Sequence, residues 1–217
     1  MGLISVIDLV NKGGLLIWPI LLCSIIGTTI FFERLLRYRR FLKRRENHDA
    51  LYQLIHDGDF DKALELIRKS NPDVPAARRI MREALNVEEP DRETVEMVLL
   101  HGVERETTAL SRYLSLLGVL GSTAPLLGLL GTVLGMIKAF MVVESMGGSV
   151  NASVLAGGIW EAMLTTAFGL LVAIPLLFFY NHLEGRLHVI QEYLEEVVIA
   201  FMKAWSKGHN LNHNNKH

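Results

Sequence analysis

Three stretches of the chain, residues 15–36, 113–143 and 154–180, are almost free of charge, and the charged residues gather between and after them. Each is long enough to cross a bilayer, because about 20 apolar residues rising 1.5 Å each span a hydrocarbon core of about 30 Å. The polar stretches keep a helical period of their own. Ala63, Leu64 and Ile67, then Ile80, Met81, Ala84 and Leu85, then Val95, Val98, Leu99 and Val103 recur at steps of three and four. Breaks fall at Asp57-Gly58-Asp59, where Gly58 suits a helix C-cap and Asp59 an N-cap, at Asn71 to Pro75, and at Glu89-Pro90-Asp91. Pro75 suits the start of the next helix. No proline interrupts Arg92 to Ala124, so one helix is predicted to run from the polar segment into the second span. After the third span, Leu183, Leu187, Ile190, Leu194, Val197 and Val198 continue the period.

Basic residues near the span ends set the direction of insertion. Arg34, Arg37, Arg39, Arg40, Lys43, Arg44 and Arg45 follow the first span, whereas the segment before it offers only Lys12. The arginine side is therefore expected in the cytoplasm. The predicted order is a periplasmic segment with the first transmembrane helix (1–36), a cytoplasmic helical domain (37–112), the second transmembrane helix (113–143), a periplasmic loop (144–153), the third transmembrane helix (154–180), a cytoplasmic C-terminal helix (181–207) and a disordered tail (208–217). The fold class is an all-α membrane protein with three transmembrane helices. Two of them extend into the cytoplasm. The N-terminal stretch lacks a basic start and a small-x-small cleavage site, so it reads as a retained span and not as a cleaved signal.

Composition narrows the function. Half of the residues are hydrophobic and the formal net charge is −1, a profile of a membrane protein without a basic domain for nucleic acid. The single cysteine, Cys23, lies inside an apolar run and allows no intrachain disulfide. No phosphate loop, His-Glu-x-x-His or paired cysteines appear, so no enzyme is expected. Asp57, Asp59 and Asp61 alternate, but the glycine is misplaced for a calcium loop and helix capping explains them. His209, His213 and His217 sit in an Asn-rich tail and read as solvated.

The second span carries small residues at helical spacing: Gly118, Gly121, Pro125, Gly128, Thr132 and Gly135. Gly131 lies beside this edge. Lipid-facing helices favour Leu, Ile and Val, so a stripe of this kind marks the close approach of another helix or an ion path. The third span has a matching stripe, Ala162, Thr166, Gly169 and Ala173. Measured from Tyr180, Thr166 lies roughly 21 Å deep, and measured from Leu117 on the antiparallel span, Thr132 lies roughly 22 Å deep. Two facing stripes at equal depth leave room for a polar slot, or else hold two packing threonines satisfied by carbonyls of their own helix. Thr165 competes with Thr166 for the slot. Glu161, nearer the outer interface, would draw cations toward it. Pro125 and Pro175 each free a backbone carbonyl that could ligate a cation or water, or simply kink a helix. No Asp, Glu, Lys, Arg or His stands near the centre of any span, so a proton path would need its titratable carrier from another chain.

The run Ala124-Pro125-Leu126-Leu127-Gly128-Leu129-Leu130-Gly131-Thr132-Val133-Leu134-Gly135-Met136 is similar to the signature of the MotA/TolQ/ExbB proton-channel family. Glu161 to Leu170, with Ala173-Ile174-Pro175 and Tyr180-Asn181, resembles its second signature. Three spans and a large segment between the first two resemble the ExbB/TolQ branch. Two positions depart from the pattern: Leu134 stands where tryptophan is common, and Thr165 adds a second hydroxyl beside Thr166. The resemblance implies a homopentamer in the bacterial inner membrane around a single-span partner like ExbD or TolR, which supplies the membrane aspartate. It also implies work passed to a periplasm-spanning protein like TonB or TolA, no cofactor, and a translocated proton in preference to sodium. Thr132, Thr166 and Glu161 match the family's polar positions. A structural scaffold with no ion conduction is the competing reading, and a Thr→Val change separates the two. A small-molecule transporter is disfavoured because no internal repeat is visible.

Overall fold

The computed structural model describes residues 14–45, 49–57, 59–68, 75–87, 91–145 and 152–214, and every regular element among them is a helix. The helices are α1 (Ile17–Arg45), α2 (Asp49–His56), α3 (Phe60–Arg68), α4 (Ala76–Leu85), α5 (Arg92–Ser111), α6 (Leu114–Ser145) and α7 (Ala152–Asn214). Three helical stretches, Ile17–Leu42, Arg92–Ser145 and Leu155–Ser206, are long and apolar enough to cross a membrane. The all-α, three-span fold read from the sequence is therefore present. The predicted cap at Gly58, the centres of the breaks at 71–73 and 89–90, most of the loop 144–153 and the end of the tail lie outside the described residues.

The chain divides into two compact units. One contains Met1–Glu33 and Tyr113–Leu183, the other Arg34–Arg112 and Glu184–His217. In the first, α6 and α7 pack along small residues. Gly121, Ala124, Gly128, Gly131, Gly135 and Ala139 are buried on α6, and Ala162, Thr165, Gly169, Ala173 and Leu176 on α7. Against them lies α1, where a Cβ on Gly27 would stand only 2.5 Å from Leu176 Cδ2. The ring of Phe31 stacks on that of Phe179 at 3.9 Å. The outward faces stay apolar: Leu126 is 62% exposed, Met163 64% and Ile174 67%. Among the described residues nothing covers these side chains, as suits helices whose remaining surface meets lipid or further chains.

In the second unit the predicted apolar stripes form the core. Leu51, Ile55, Ala63, Ile67, Ile80, Met81, Ala84, Val95, Leu99 and Val103 are buried together with Leu183's successors on α7, Ile190, Leu194, Val197, Val198 and Phe201. Asp91 caps α5 by accepting a hydrogen bond from the Thr94 N–H at 3.3 Å, and that bond holds its carboxyl below the usual range. Asp59 directly precedes α3 and pairs with Lys62. Pro75 precedes α4 with φ −57°. Two ion pairs, Arg79–Glu106 at 2.7 Å and Arg105–Glu83 at 2.8 Å, cross between α4 and α5. Both are exposed and contribute little to stability.

Two boundaries differ from the sequence reading. The helix predicted to run unbroken from Arg92 is two helices, separated at Arg112 and Tyr113, with Tyr113 at φ +66°. Such a backbone angle is uncommon outside glycine, and neither residue advertises it. Helix α7 continues to Asn214, past the end predicted at 207.

Candidate ion-pathway site

The site is built where α6 meets α7. Glycine on both helices lets their backbones approach within a distance that other residues forbid. A Cβ on Gly128 would lie 3.0 Å from Thr166 Cα, one on Gly135 2.8 Å from Ala162 Cβ, and one on Gly169 2.7 Å from the Ala124 carbonyl oxygen. These contacts fix an antiparallel register: Gly128 lies opposite Thr166, Gly131 opposite Thr165, Gly135 opposite Ala162 and Gly158 opposite Ala139. Thr132, one residue beyond Gly131, therefore stands within about one helical turn of Thr166 in depth.

The three threonines part company in detail. Thr166 Oγ1 donates to the Gly128 carbonyl at 2.9 Å, a bond between the two helices. Thr165, rather than Thr166, occupies the fully buried line. It is 2% exposed, packs on Gly131, and donates to the Glu161 carbonyl at 3.0 Å. Thr132 Oγ1 donates to the Leu129 carbonyl at 2.6 Å within its own helix, on the flank of the seam. Thr132 and Thr166 are both half-buried.

The chemistry follows from where each hydroxyl proton goes. A threonine hydroxyl has one proton and two acceptor lone pairs. All three protons are spent on carbonyls, which leaves oxygen atoms that can only accept. Thr165 is buried in the packing, whereas Thr132 and Thr166 are half-buried. Such oxygens suit a cation or a protonated water and repel an anion.

Glu161 sits farther along α7. Its carboxylate lies 3.9 Å from the Lys138 ammonium and against Gly14, whose φ is +73°. A Lys that loosely shares this acid tempers the attraction expected of Glu161 alone. Pro125 is half-buried and Pro175 exposed, each inside its helix. Gly121, Gly128, Gly131, Gly135, Ala162, Gly169 and Ala173 are all buried. Among the described residues, no group of three His, Cys, Asp or Glu could hold a metal ion.

One residue was miscounted by charge alone. Arg34 reads in sequence as one of a cytoplasmic arginine cluster, yet it is 1% exposed. Its Nη1 donates to the carbonyls of Ala109 and Leu110 at 3.4 and 3.3 Å, beside Tyr38, whose hydroxyl donates to Leu110 at 3.0 Å. The signal was available: Ile17, Ile20, Ile30, Arg34 and Tyr38 are the buried face of α1 at helical spacing.

By its fold the chain is a multi-pass membrane protein, with three helical stretches long and apolar enough to cross a bilayer. Residues 69–196 match the MotA/TolQ/ExbB proton channel family. The chain belongs to this family, in its ExbB-like branch, and so has a role in energy-transducing transport. It is 32% identical to the biopolymer transport protein ExbB-like 1 of Synechocystis sp. over 209 residues, covering 91% of this chain and 80% of that protein. It is 31% identical to biopolymer transport protein exbB1 of Vibrio cholerae, covering 79% and 75%. Against biopolymer transport protein ExbB of Salmonella typhimurium it is 27% identical, covering 89% and 81%.

Proposed function

We propose that this chain is the ring-forming subunit of an ion-driven motor in the inner membrane, with Thr132 and Thr166 lining the path of a proton. Five copies surround a single-span partner of the ExbD or TolR kind, whose membrane aspartate carries the charge that no residue at mid-span here can carry. The work passes to a periplasm-spanning protein of the TonB or TolA kind. The arginines in the C-terminal part of α1, from Arg34 to Arg45, favour an N-terminus in the periplasm and a C-terminus in the cytoplasm. The observation that carries the reading is the Thr166 hydroxyl. Its proton is held by Gly128 across the seam, and the residue is half-buried in a span whose one charge is Glu161.

The test is Thr166→Val, with Thr132→Val and Glu161→Gln beside it. Valine keeps the shape and removes the hydroxyl, at about 1 kcal/mol for one hydrogen bond, too little to unfold three spans. Energy-dependent transport should be lost with Thr166→Val, reduced less with Thr132→Val, and least affected with Glu161→Gln. The complex should assemble in each case, as read by native mass spectrometry with the partner co-expressed. A fully active Thr166→Val protein would favour the scaffold reading. The orientation is tested by single cysteines in a Cys23→Ala background: one at Ser149 should react with an impermeant maleimide in whole cells, and one at Ser70 only after lysis. The reverse pattern overturns the orientation.

A further inference from the structure

The second unit contains a cavity of about 270 Å³ that the ion path does not use. Its wall includes Arg37, Arg40 and Arg79, one carboxylate, Glu106, and the side chains of Phe41 and Tyr193. Glu106 is already engaged by Arg79 through two bonds of 2.7 and 2.8 Å. Arg37 and Arg40, by contrast, make no hydrogen bond or ion pair among the described residues. These two guanidiniums stand three residues apart on α1, and among the described residues neither is paired with a carboxylate. Arginine presents a planar fork of donors matched to phosphate oxygens. The wall also includes Ala76 and Ala77 at the start of α4, where first-turn N–H groups have no helical acceptor; they add donors of the same polarity.

Position and size choose the occupant. Arg37 and Arg40 come one and four residues after Leu36, the end of the apolar run of α1, or roughly 2 and 6 Å along its axis. That is headgroup depth. Leu36 itself is 53% exposed, next to the wall in sequence, and offers an apolar surface to an acyl chain. The cavity is smaller than the about 300–1,000 Å³ of sites for drug-sized ligands, so it suits a glycerophosphate group better than a nucleotide. We propose that the cavity binds the phosphate of an anionic phospholipid, held by Arg37 and Arg40 with Phe41 and Tyr193 closing its apolar side. Basic pockets beside transmembrane helices hold lipid headgroups by this physics.

The test uses the full chain, purified in mild detergent as its native assembly and titrated with phosphatidylglycerol, phosphatidylcholine or free glycerol 3-phosphate. Native mass spectrometry reads bound lipid. The wild-type protein should retain phosphatidylglycerol at least tenfold more strongly than phosphatidylcholine. The double variant Arg37→Gln/Arg40→Gln should lose that preference. Arg39→Gln, exposed and outside the wall, should keep it, which separates a site from general attraction between charges. Thermal unfolding of each variant in the same detergent checks that the fold survives. Unchanged phosphatidylglycerol retention in the folded double variant overturns the proposal. Glycerol 3-phosphate binding as tightly as the lipid also overturns it and points to a soluble phosphate compound. None of these readouts depends on ion conduction, so the fate of the motor reading leaves this test intact.

Discussion

Replacing Gly169 by alanine is the sharpest probe of the α6–α7 seam. The new methyl carbon would stand 2.7 Å from the Ala124 carbonyl oxygen, 3.2 Å from Gly128 Cα and 3.4 Å from Gly128 N. All three neighbours are backbone, so no side chain can swing aside. Favourable contact lies near 3.5 Å, so the helices must separate by several tenths of an ångström along this stretch. Overpacking of this kind costs about 1–3 kcal/mol, against a gain of up to about 1 kcal/mol for alanine over glycine in a helix. The expected net loss is about 1–2 kcal/mol, or roughly 2–8 °C in the midpoint of thermal unfolding for a chain of this size. The separation also stretches the neighbouring Thr166–Gly128 hydrogen bond, so transport should fall together with stability. Gly185→Ala is the control. A Cβ there meets nothing within 4 Å, and only the helix-propensity gain remains, so its midpoint should rise or stay level. The assay is thermal unfolding of the detergent-solubilised protein followed by circular dichroism, with size-exclusion chromatography to confirm assembly. A Gly169→Ala protein as stable as Gly185→Ala would refute the close approach on which the site is built.

Arg34→Met keeps the apolar stem and removes the guanidinium from the Ala109 and Leu110 carbonyls. It should cost about 1.5–3 kcal/mol, the value of hydrogen bonds to a charged group, and increase amide exchange at the end of α5. Retention of wild-type protection there would show that Arg34 is a bystander. At Asp91, the hydrogen bond from Thr94 lowers the folded pKa below the unfolded one. The contribution is therefore present above the unfolded carboxylate pKa and lost as pH falls through the lowered folded value. Limited proteolysis near residue 91 should accelerate in that acid window for the wild type, while Asp91→Ala should be cleaved rapidly at neutral pH as well; identical profiles for both proteins would dismiss the cap.

How much of this was legible in the sequence depends on what each feature asks of it. The spans need only length and absence of charge, and the stripes Ile80–Met81–Ala84 and Val95–Leu99–Val103 need only a period, so both were readable. The rotation of α6 in the seam was not. Gly128, Gly131, Thr132 and Gly135 are all small, and neighbours in sequence differ by about 100° around the helix. A run tolerant on two faces cannot say which is buried, and Gly131 took the place that spacing offered to Thr132. The same ambiguity covers Thr165 and Thr166, of which Thr165 is the fully buried one and Thr166 the one bonded across the seam. The break before α6 escaped for another reason. Neither Arg112 nor Tyr113 favours φ +66°. The turn is held by distant partners, Arg34 and Tyr38 on the last carbonyls of α5, together with the Leu117 N–H donating to the Tyr113 carbonyl at 3.1 Å.

The glycine seam also shapes how this chain can vary over generations. At Gly128, Gly135 and Gly169 one added methyl carbon would already meet atoms of the facing helix at 2.7–3.0 Å, while Leu126, Leu129 and Ile174 turn outward beside them. Drift should therefore be banded, with every third or fourth position frozen and those between free to exchange one aliphatic residue for another. A library of all single substitutions from 121 to 139, scored by growth on transport, would show that banding as a periodic signal. Its phase would report the rotation of α6 inside the living membrane without a structure being determined there.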